Sequence, residues 1–238
     1  MEMDERSADS SEPLVLGITG ASGAFFAVRL MQVLATDSIP VHLAVSPSGA
    51  AVIRQELKLD IDPLAPDVQR LLEFIPPWTD DQQASRIRDL VAASDWRKRF
   101  VAHAYNDFMT PIASGSFRTR AMVICPCSGS TLSGVARAAA SNLIQRAAEV
   151  HLKEKRPLVM VPRETPVSTL QLENMHRLSS VGVTMLPAMP GWYHDVQSLD
   201  CLINFVVSRI LDQIQIRNDL INRWGEPPTK PVQRKAEH

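Results

Sequence analysis

The chain predicts an α/β fold: a single-domain, Rossmann-like parallel sheet with helices on both faces. Three observations carry this. Short apolar, β-branched runs recur along the chain; Gly- or Ser-rich turns follow them; and a helical period opens after the turn. Leu14–Ile18 reads as the first strand, followed by a Gly turn and a helix over 24–34. Val41–Val45 is a second strand, and 122–125 a third, leading into a helical stretch over 132–153. A fourth strand at 158–161, a helix over Thr169–Ser180, a strand at 183–186 and a long amphipathic helix over 198–213 complete the alternation. The middle, 63–100, breaks the rhythm around Pro76-Pro77-Trp78 and reads as a helical insertion within the 13–225 domain. Residues 1–12 and 226–238 are polar or Pro-rich and read as flexible tails.

Bulk properties narrow the function. The 238 residues are 45% hydrophobic, which allows one sizeable core. A net charge of -1 gives no basic excess for nucleic acid or an anionic membrane, so any positive site is local. The N-terminus lacks the basic start and apolar core of a secretion signal, and no run approaches membrane-spanning length. A cytoplasmic location is expected. Cys125, Cys127 and Cys201 form an odd set that suits a reducing compartment. Cys125-Pro126-Cys127 has no second Cys or His cluster beside it, so it reads as buried thiols and no metal is expected.

Four groups of residues can carry chemistry. The first is Gly17-Ile18-Thr19-Gly20-Ala21-Ser22-Gly23, between a strand and a helix. Its glycines permit close backbone approach, and the helix N-terminus offers N–H groups to a phosphate or ring edge. The spacing also occurs in dehydrogenases. Against that reading, the second strand ends in Ser46 where an acidic residue would hold an NAD ribose, and no Tyr-x-x-x-Lys pair follows. The second group is Ser128, Gly129, Ser130 and Thr131 after the third strand, which can hold a phosphate or simply cap a helix. The third is Arg163-Glu164 after the fourth strand: an Arg suited to grip phosphate and a Glu able to move a proton, or an ordinary surface ion pair. The fourth is Arg146, Lys153, Tyr193 and Arg209, each alone more consistent with a solvated surface group.

Taken together, the segments GITGASGA, ASGSF, ICPCSGSTLSGVA, NLIQRAAEVHLKEKRPLVMVPRETP, LENMHRLSSVGVTMLPAMPGWYH, SRILDQI and RWGE resemble, in order and over nearly the whole chain, the UbiX-type flavin prenyltransferases of the homo-oligomeric flavin-containing decarboxylase-like family. The resemblance implies that reduced FMN is bound as a substrate and prenylated at N5, then at C6, without metal. The donor is dimethylallyl phosphate, and the prenylated FMN serves a UbiD-type decarboxylase. By the same resemblance Gly20, Ala21, Ser22, Ser46, Ser128, Gly129, Ser130, Thr131 and Arg163 bind FMN. Arg146, Lys153, Tyr193 and Arg209 receive the donor phosphate, and Ser22, Lys153 and Glu164 are catalytic. A trimer-based homo-oligomer, up to a dodecamer, is implied as well. The chain differs from the family's habit at Ser46-Pro47-Ser48, where Lys often follows Ser, and at Asp195-Val196. A flavin-dependent cysteine decarboxylase shares the fold. However, its Pro-Ala-Ser-Ala-Asn-Thr segment is here CPCSGST, and its Met-Asn substrate clamp has no counterpart. A non-catalytic flavin carrier would not need Glu164.

Overall fold

The computed structural model describes residues 12–194 and 196–225. All but Glu12 of the two expected tails, and Asp195, lie outside the described residues. Six strands form one parallel sheet: β1 (Leu14–Ile18), β2 (Val41–Val45), β3 (Phe100–His103), β4 (Ala121–Cys127), β5 (Leu158–Pro162) and β6 (Thr184–Met185), in the order β3-β2-β1-β4-β5-β6. The order reverses between β1 and β4, so the chain leaves their carboxyl ends in opposite directions and opens a crevice there. β1, β2, β4 and β5 are buried throughout, as expected of parallel strands covered on both faces.

Side-chain alternation splits the core in two. Leu14, Leu16 and Ile18 of β1 face one layer, built with α1 (Ala24–Thr36), α3 (Val68–Leu72), α4 (Asp81–Ala93) and α9 (Leu199–Gln213). Val15 faces the other, built with α6 (Gly129–Ala136), α7 (Leu143–Lys153) and α8 (Thr169–Ser180). The middle segment lies against α1: Gln32 Nε2 donates to the carbonyls of Leu72 and Phe74 at 3.2 and 2.8 Å, and the ring of Phe25 meets that of Trp78 at 4.7 Å.

Three details differ from the sequence reading. The stretch 132–153 is two helices. Asn142 caps α7 through the N–H of Gln145, Gln145 Oε1 accepts from Ser141 N, and Glu149 Oε1 accepts from Ala140 N, so side chains supply the hydrogen bonds that a continuous helix would have made. Strand β3 occupies the end of the segment read as helical, after α5 (Trp96–Arg99). It is an edge strand of four residues with two exposed side chains, too short to signal itself directly after a helix. Helix α2 (Pro47–Leu57) was not anticipated. Ser46 caps it and Pro47 opens it.

The carboxyl-terminal part of α7 is fixed by His151, which is buried. Its Nδ1–H donates to Ala147 O at 2.8 Å, so Nε2 accepts from the Thr119 hydroxyl at 3.0 Å, and Arg156 donates to the same hydroxyl oxygen at 3.2 Å. Burial, countered by the Ala147 bond and aided by the Arg156 charge, pushes the His151 pKa down to about 4. The unfolded chain therefore binds a proton near the ordinary histidine pKa that the folded chain refuses. Stability should be full at neutral pH and fall as the pH drops toward 4. Urea unfolding at about pH 7 and about pH 5 should differ by on the order of 1–2 kcal/mol from this residue, and His151→Gln should flatten that part of the slope.

Candidate functional site

The crevice at the carboxyl edge is made by three turns stitched together. Thr19, buried at the end of β1, donates its hydroxyl to Pro126 O at 2.8 Å and accepts from Ser128 N at 2.8 Å, while Thr19 N donates to Pro126 O at 3.2 Å. The third turn joins through Arg163, whose Nε donates to Ser22 O at 3.2 Å. Gly20 lies against α2 so closely that a Cβ there would fall 2.5 Å from Ser48 Cβ, and Gly23 takes a φ of 117° that a side chain would strain. The sequence selects small residues here because backbone and neighbouring helix meet without room between them.

The hydroxyl groups are already organised. Ser128 caps α6, accepting from Thr131 N at 3.3 Å and sharing hydrogen bonds with the hydroxyls of Ser130 at 3.1 Å and Thr131 at 3.0 Å. Ser130 remains exposed above it. Ser46 caps α2 through Gly49 N at 3.0 Å and lies 3.2 Å from the Ser48 hydroxyl. Each of these serines therefore has a local structural task and keeps hydroxyl capacity for a ligand.

One expectation is corrected. The N–H groups at the start of α1 are not free for a phosphate: the Glu56 carboxylate accepts from Gly23 N at 3.0 Å and Ala24 N at 2.8 Å. A carboxylate at this positive helix end is favourable and places a negative group beside Ser22. Sequence reasoning missed Glu56, which lies in the last turn of α2 with no motif to mark it. It also missed Gln171, which donates through Nε2 to Glu164 Oε2 at 3.3 Å and lies where a Cβ on Gly129 would approach it to 2.9 Å. The Ser168-x-x-Gln171 capping box was the available signal. Through Gln171 the exposed Glu164 is tied to the Ser128–Thr131 loop; its other oxygen accepts from Thr165 N at 3.3 Å.

Gly20, Ala21, Ser22, Ser46, Ser128–Thr131, Arg163 and Glu164 are thus gathered at one edge. The four residues expected to hold the donor phosphate lie in two other places, on α7 and beside β6. Arg146 and Lys153 lie on α7, against the 111–116 segment: Arg146 Nε donates to Ala113 O at 3.1 Å and pairs with Glu149 at 3.5 Å. Lys153 pairs with Glu154, and this contact, first through its hydrogen bond, holds the Glu154 carboxyl below its ordinary range. Lys153 ends the helix that feeds the amino end of β5, whereas Glu164 follows the carboxyl end of the same strand, a separation of about 17 Å along a five-residue strand. Arg209 and Tyr193 flank the outer edge at β6. Arg209 lines a cleft of about 310 Å³ with Leu186, Met189 and Phe205, and Tyr193 stands edge-on to Phe205 at 5.7 Å and to Trp224 at 5.8 Å. Cys125 and Cys127 are fully buried in opposite core layers, and burial pushes both thiols up, so neither is a thiolate. Among the described residues no cluster of three or more His, Cys, Asp or Glu can hold a metal, and no helix is long and apolar enough to cross a membrane.

Thr19→Val keeps the shape of the stitch and removes its hydroxyl, leaving Ser128 N without its acceptor. Denaturant unfolding should show a loss of about 1–3 kcal/mol, and a flavin titration should show weakened FMN binding, because the loop after β4 loses its fixed distance from the Gly20–Ser22 turn.

The chain is similar to known proteins along most of its length. The Flavoprotein family model matches residues 2–211. The flavin prenyltransferase UbiX of Halalkalibacterium halodurans is 46% identical over 211 residues, covering 89% of this chain and 92% of the relative. A dodecameric FMN-dependent UbiX-like decarboxylase from Escherichia coli O157:H7 superposes with a TM-score of 0.69 at 36% identity, covering 90% of this chain and all of that one. The UbiX protein PadA1, solved in complex with FMN and dimethylallyl pyrophosphate, superposes with a TM-score of 0.72 at 31% identity, covering 91% and 98%. With a parallel sheet whose switch-point turns are stitched as described, and with relatives of this identity along nearly its full described length, the chain belongs to the Flavoprotein family and, within it, to the UbiX flavin prenyltransferases.

Proposed function

We propose that the chain transfers a dimethylallyl group from dimethylallyl phosphate to reduced FMN, forming a bond at N5 and then closing a ring at C6, and that the prenylated FMN is passed to a UbiD-type decarboxylase. The observation that carries this reading is the convergence, at the switch point, of the Gly20–Ser22 turn, the Ser128–Thr131 hydroxyls and the Arg163-Glu164 pair. These residues fit a flavin mononucleotide. Hydroxyls and a guanidinium suit its phosphate and polar ring edge, and the glycine turn admits its close approach. Reduced FMN supplies an electron-rich nucleophile when bound.

The chain's own residues do the rest. Gly20, Ala21, Ser22, Ser46, Ser128–Thr131 and Arg163 hold FMN, with Ser22 beside the reacting nitrogen. Arg146, Lys153, Tyr193 and Arg209 hold the donor phosphate and stabilise it as it departs with the electron pair of the broken carbon–oxygen bond. Glu164 takes up and returns the proton, with Gln171 and Thr165 N fixing its carboxylate. Because Lys153 stands at the opposite end of β5 from Glu164, the donor site is completed by Arg146 and Lys153 of a neighbouring copy, in a trimer-based homo-oligomer. The dodecameric relative supports that assembly. Exposed Met109, Met189 and Trp192 supply apolar surface for it. A cysteine decarboxylase is disfavoured by CPCSGST at the loop after β4.

Three measurements test this. Glu164→Gln should fold and bind FMN but lose about 10²–10⁴-fold in single-turnover prenylation, read as the mass of the released flavin; an unchanged rate removes Glu164 from the mechanism. Lys153→Ala and Arg209→Ala should raise the donor concentration needed for half-maximal rate while FMN binding persists. Sedimentation should show an oligomer, and mixing Lys153→Ala with Glu164→Gln subunits should restore part of the activity, because some mixed sites then carry both intact residues. A fully active monomer would refute the shared site.

A further inference from the structure

The reading above uses Arg209 and Tyr193 but leaves unexplained the constellation that holds them. Asp212 lies one turn after Arg209 on α9, and its side chain is only 19% exposed. It accepts from Arg209 Nη1 at 2.8 Å through Oδ2. It also accepts a forked pair from Arg223, Nη1 to Oδ2 at 3.1 Å and Nη2 to Oδ1 at 2.8 Å, and a further bond from Asn218 Nδ2 to Oδ1 at 3.2 Å. The chain after α9 is thereby strapped back over the helix. The residue following Arg223 is Trp224, whose ring meets Tyr193 edge-on at 5.8 Å, and Tyr193 in turn meets Phe205, one turn before Arg209. One carboxylate therefore holds both Arg209, which lines the cleft, and the 218–224 strap that carries Trp224. Val206, Val207, Ile210 and Leu211 fix the opposite face of α9 in the core, so the helix itself is a rigid base for this arrangement.

We infer that Asp212 is a positioning residue for the prenyl donor: it fastens the 218–224 strap and holds Arg209 at the cleft, so that Arg209, Tyr193 and Trp224 meet the donor phosphate as a preset group. The inference rests on the proposed role of Arg209 and Tyr193. The charge state is compatible with it. Burial works to raise the Asp212 carboxyl, but the Arg223 hydrogen bond, the charges of Arg223 and Arg209, and Asn218 outweigh it and hold the group ionised below the usual carboxylate range. The Asp212 carboxylate offsets the positive charge of Arg209 at the cleft. A charge-only view and a positioning view then differ in sign. Removing Asp212 makes the cleft more positive and would tighten phosphate binding if charge alone mattered. If position matters, binding weakens, because Arg209 loses its fixed rotamer and Trp224 its tether.

The experiment uses the full chain loaded with FMN and compares wild type, Asp212→Asn and Asp212→Glu. Donor KM and kcat are read in flavin prenylation, inorganic phosphate is tested as a competitive inhibitor, and hydrogen exchange is followed over residues 214–225. Asp212→Asn should lose about 10²-fold in kcat/KM for the donor, mostly through KM. It should bind phosphate more weakly, leave FMN affinity unchanged and exchange faster across the strap; Asp212→Glu should recover part of each. Donor or phosphate binding equal to or tighter than wild type in Asp212→Asn overturns the inference, as does a lowered melting temperature with kinetics unchanged. If wild type itself fails to prenylate FMN, the proposed function falls; phosphate binding and strap exchange still decide Asp212, and unchanged exchange over 214–225 in Asp212→Asn refutes the anchor.

Discussion

The structure depends on the stitch made by Thr19 at the switch point of the sheet. A parallel sheet whose order reverses between β1 and β4 has a natural gap at the carboxyl ends of those two strands, because the helices that follow depart to opposite faces. The ladder between them holds as far as Gly17 and Ile124 and does not set the spacing of the turns beyond. The Thr19 hydroxyl does so, by donating to the carbonyl of Pro126 and accepting from the N–H of Ser128. The Ser128 N–H is thereby satisfied in a buried place where leaving it unpaired would cost on the order of 1–3 kcal/mol. The Gly20–Ser22 turn and the Ser128–Thr131 loop consequently face one another at a set distance, and Arg163 closes the third side through Ser22 O.

Negative groups shape this edge as much as positive ones. Glu56 saturates the start of α1, so the positive end of that helix is spent on an internal carboxylate. The same economy recurs at Arg146, Lys153 and Arg209. Arg146 is paired with Glu149, Lys153 with Glu154 and Arg209 with Asp212. In each pair the acid lies one or three residues further along the same stretch of chain, so the pairing is local. Surface pairs of this kind add little stability, so their consequence is orientation.

The sequence was clearest where local chemistry and tertiary role coincide. Five of the six strands announced themselves as apolar, β-branched runs, because strands buried on both faces need no alternation. Strand β3 did not, since its apolar run is only Phe100-Val101-Ala102 and follows directly on α5 and the basic residues Arg97, Lys98 and Arg99. The break between α6 and α7 was hidden for a different reason: Gln145 and Glu149 are good helix formers, and only their bonds to the backbone of 140–141 show that they end one helix and begin another. Gly20, Ser22, Ser128, Arg163 and Glu164 were legible as site residues because each follows a strand's carboxyl end, and a parallel sheet brings all such ends to one side. Glu56 and Gln171 lie inside helices, with no strand end to point to them.

What the sequence determined by itself was therefore the parallel α/β architecture, the carboxyl edge as the candidate site, and the family, which follow from periodicity and from the resemblance of short motifs that are local in the chain. What only the tertiary structure decided was the use made of each charge. Whether a helix N-terminus is open or filled, whether a lysine stands near a glutamate or at the far end of the same strand, and whether Asp212 faces solvent or clasps two arginines all depend on distances between segments remote in sequence. Local pattern cannot encode those distances; they are set by how the helices pack on the sheet.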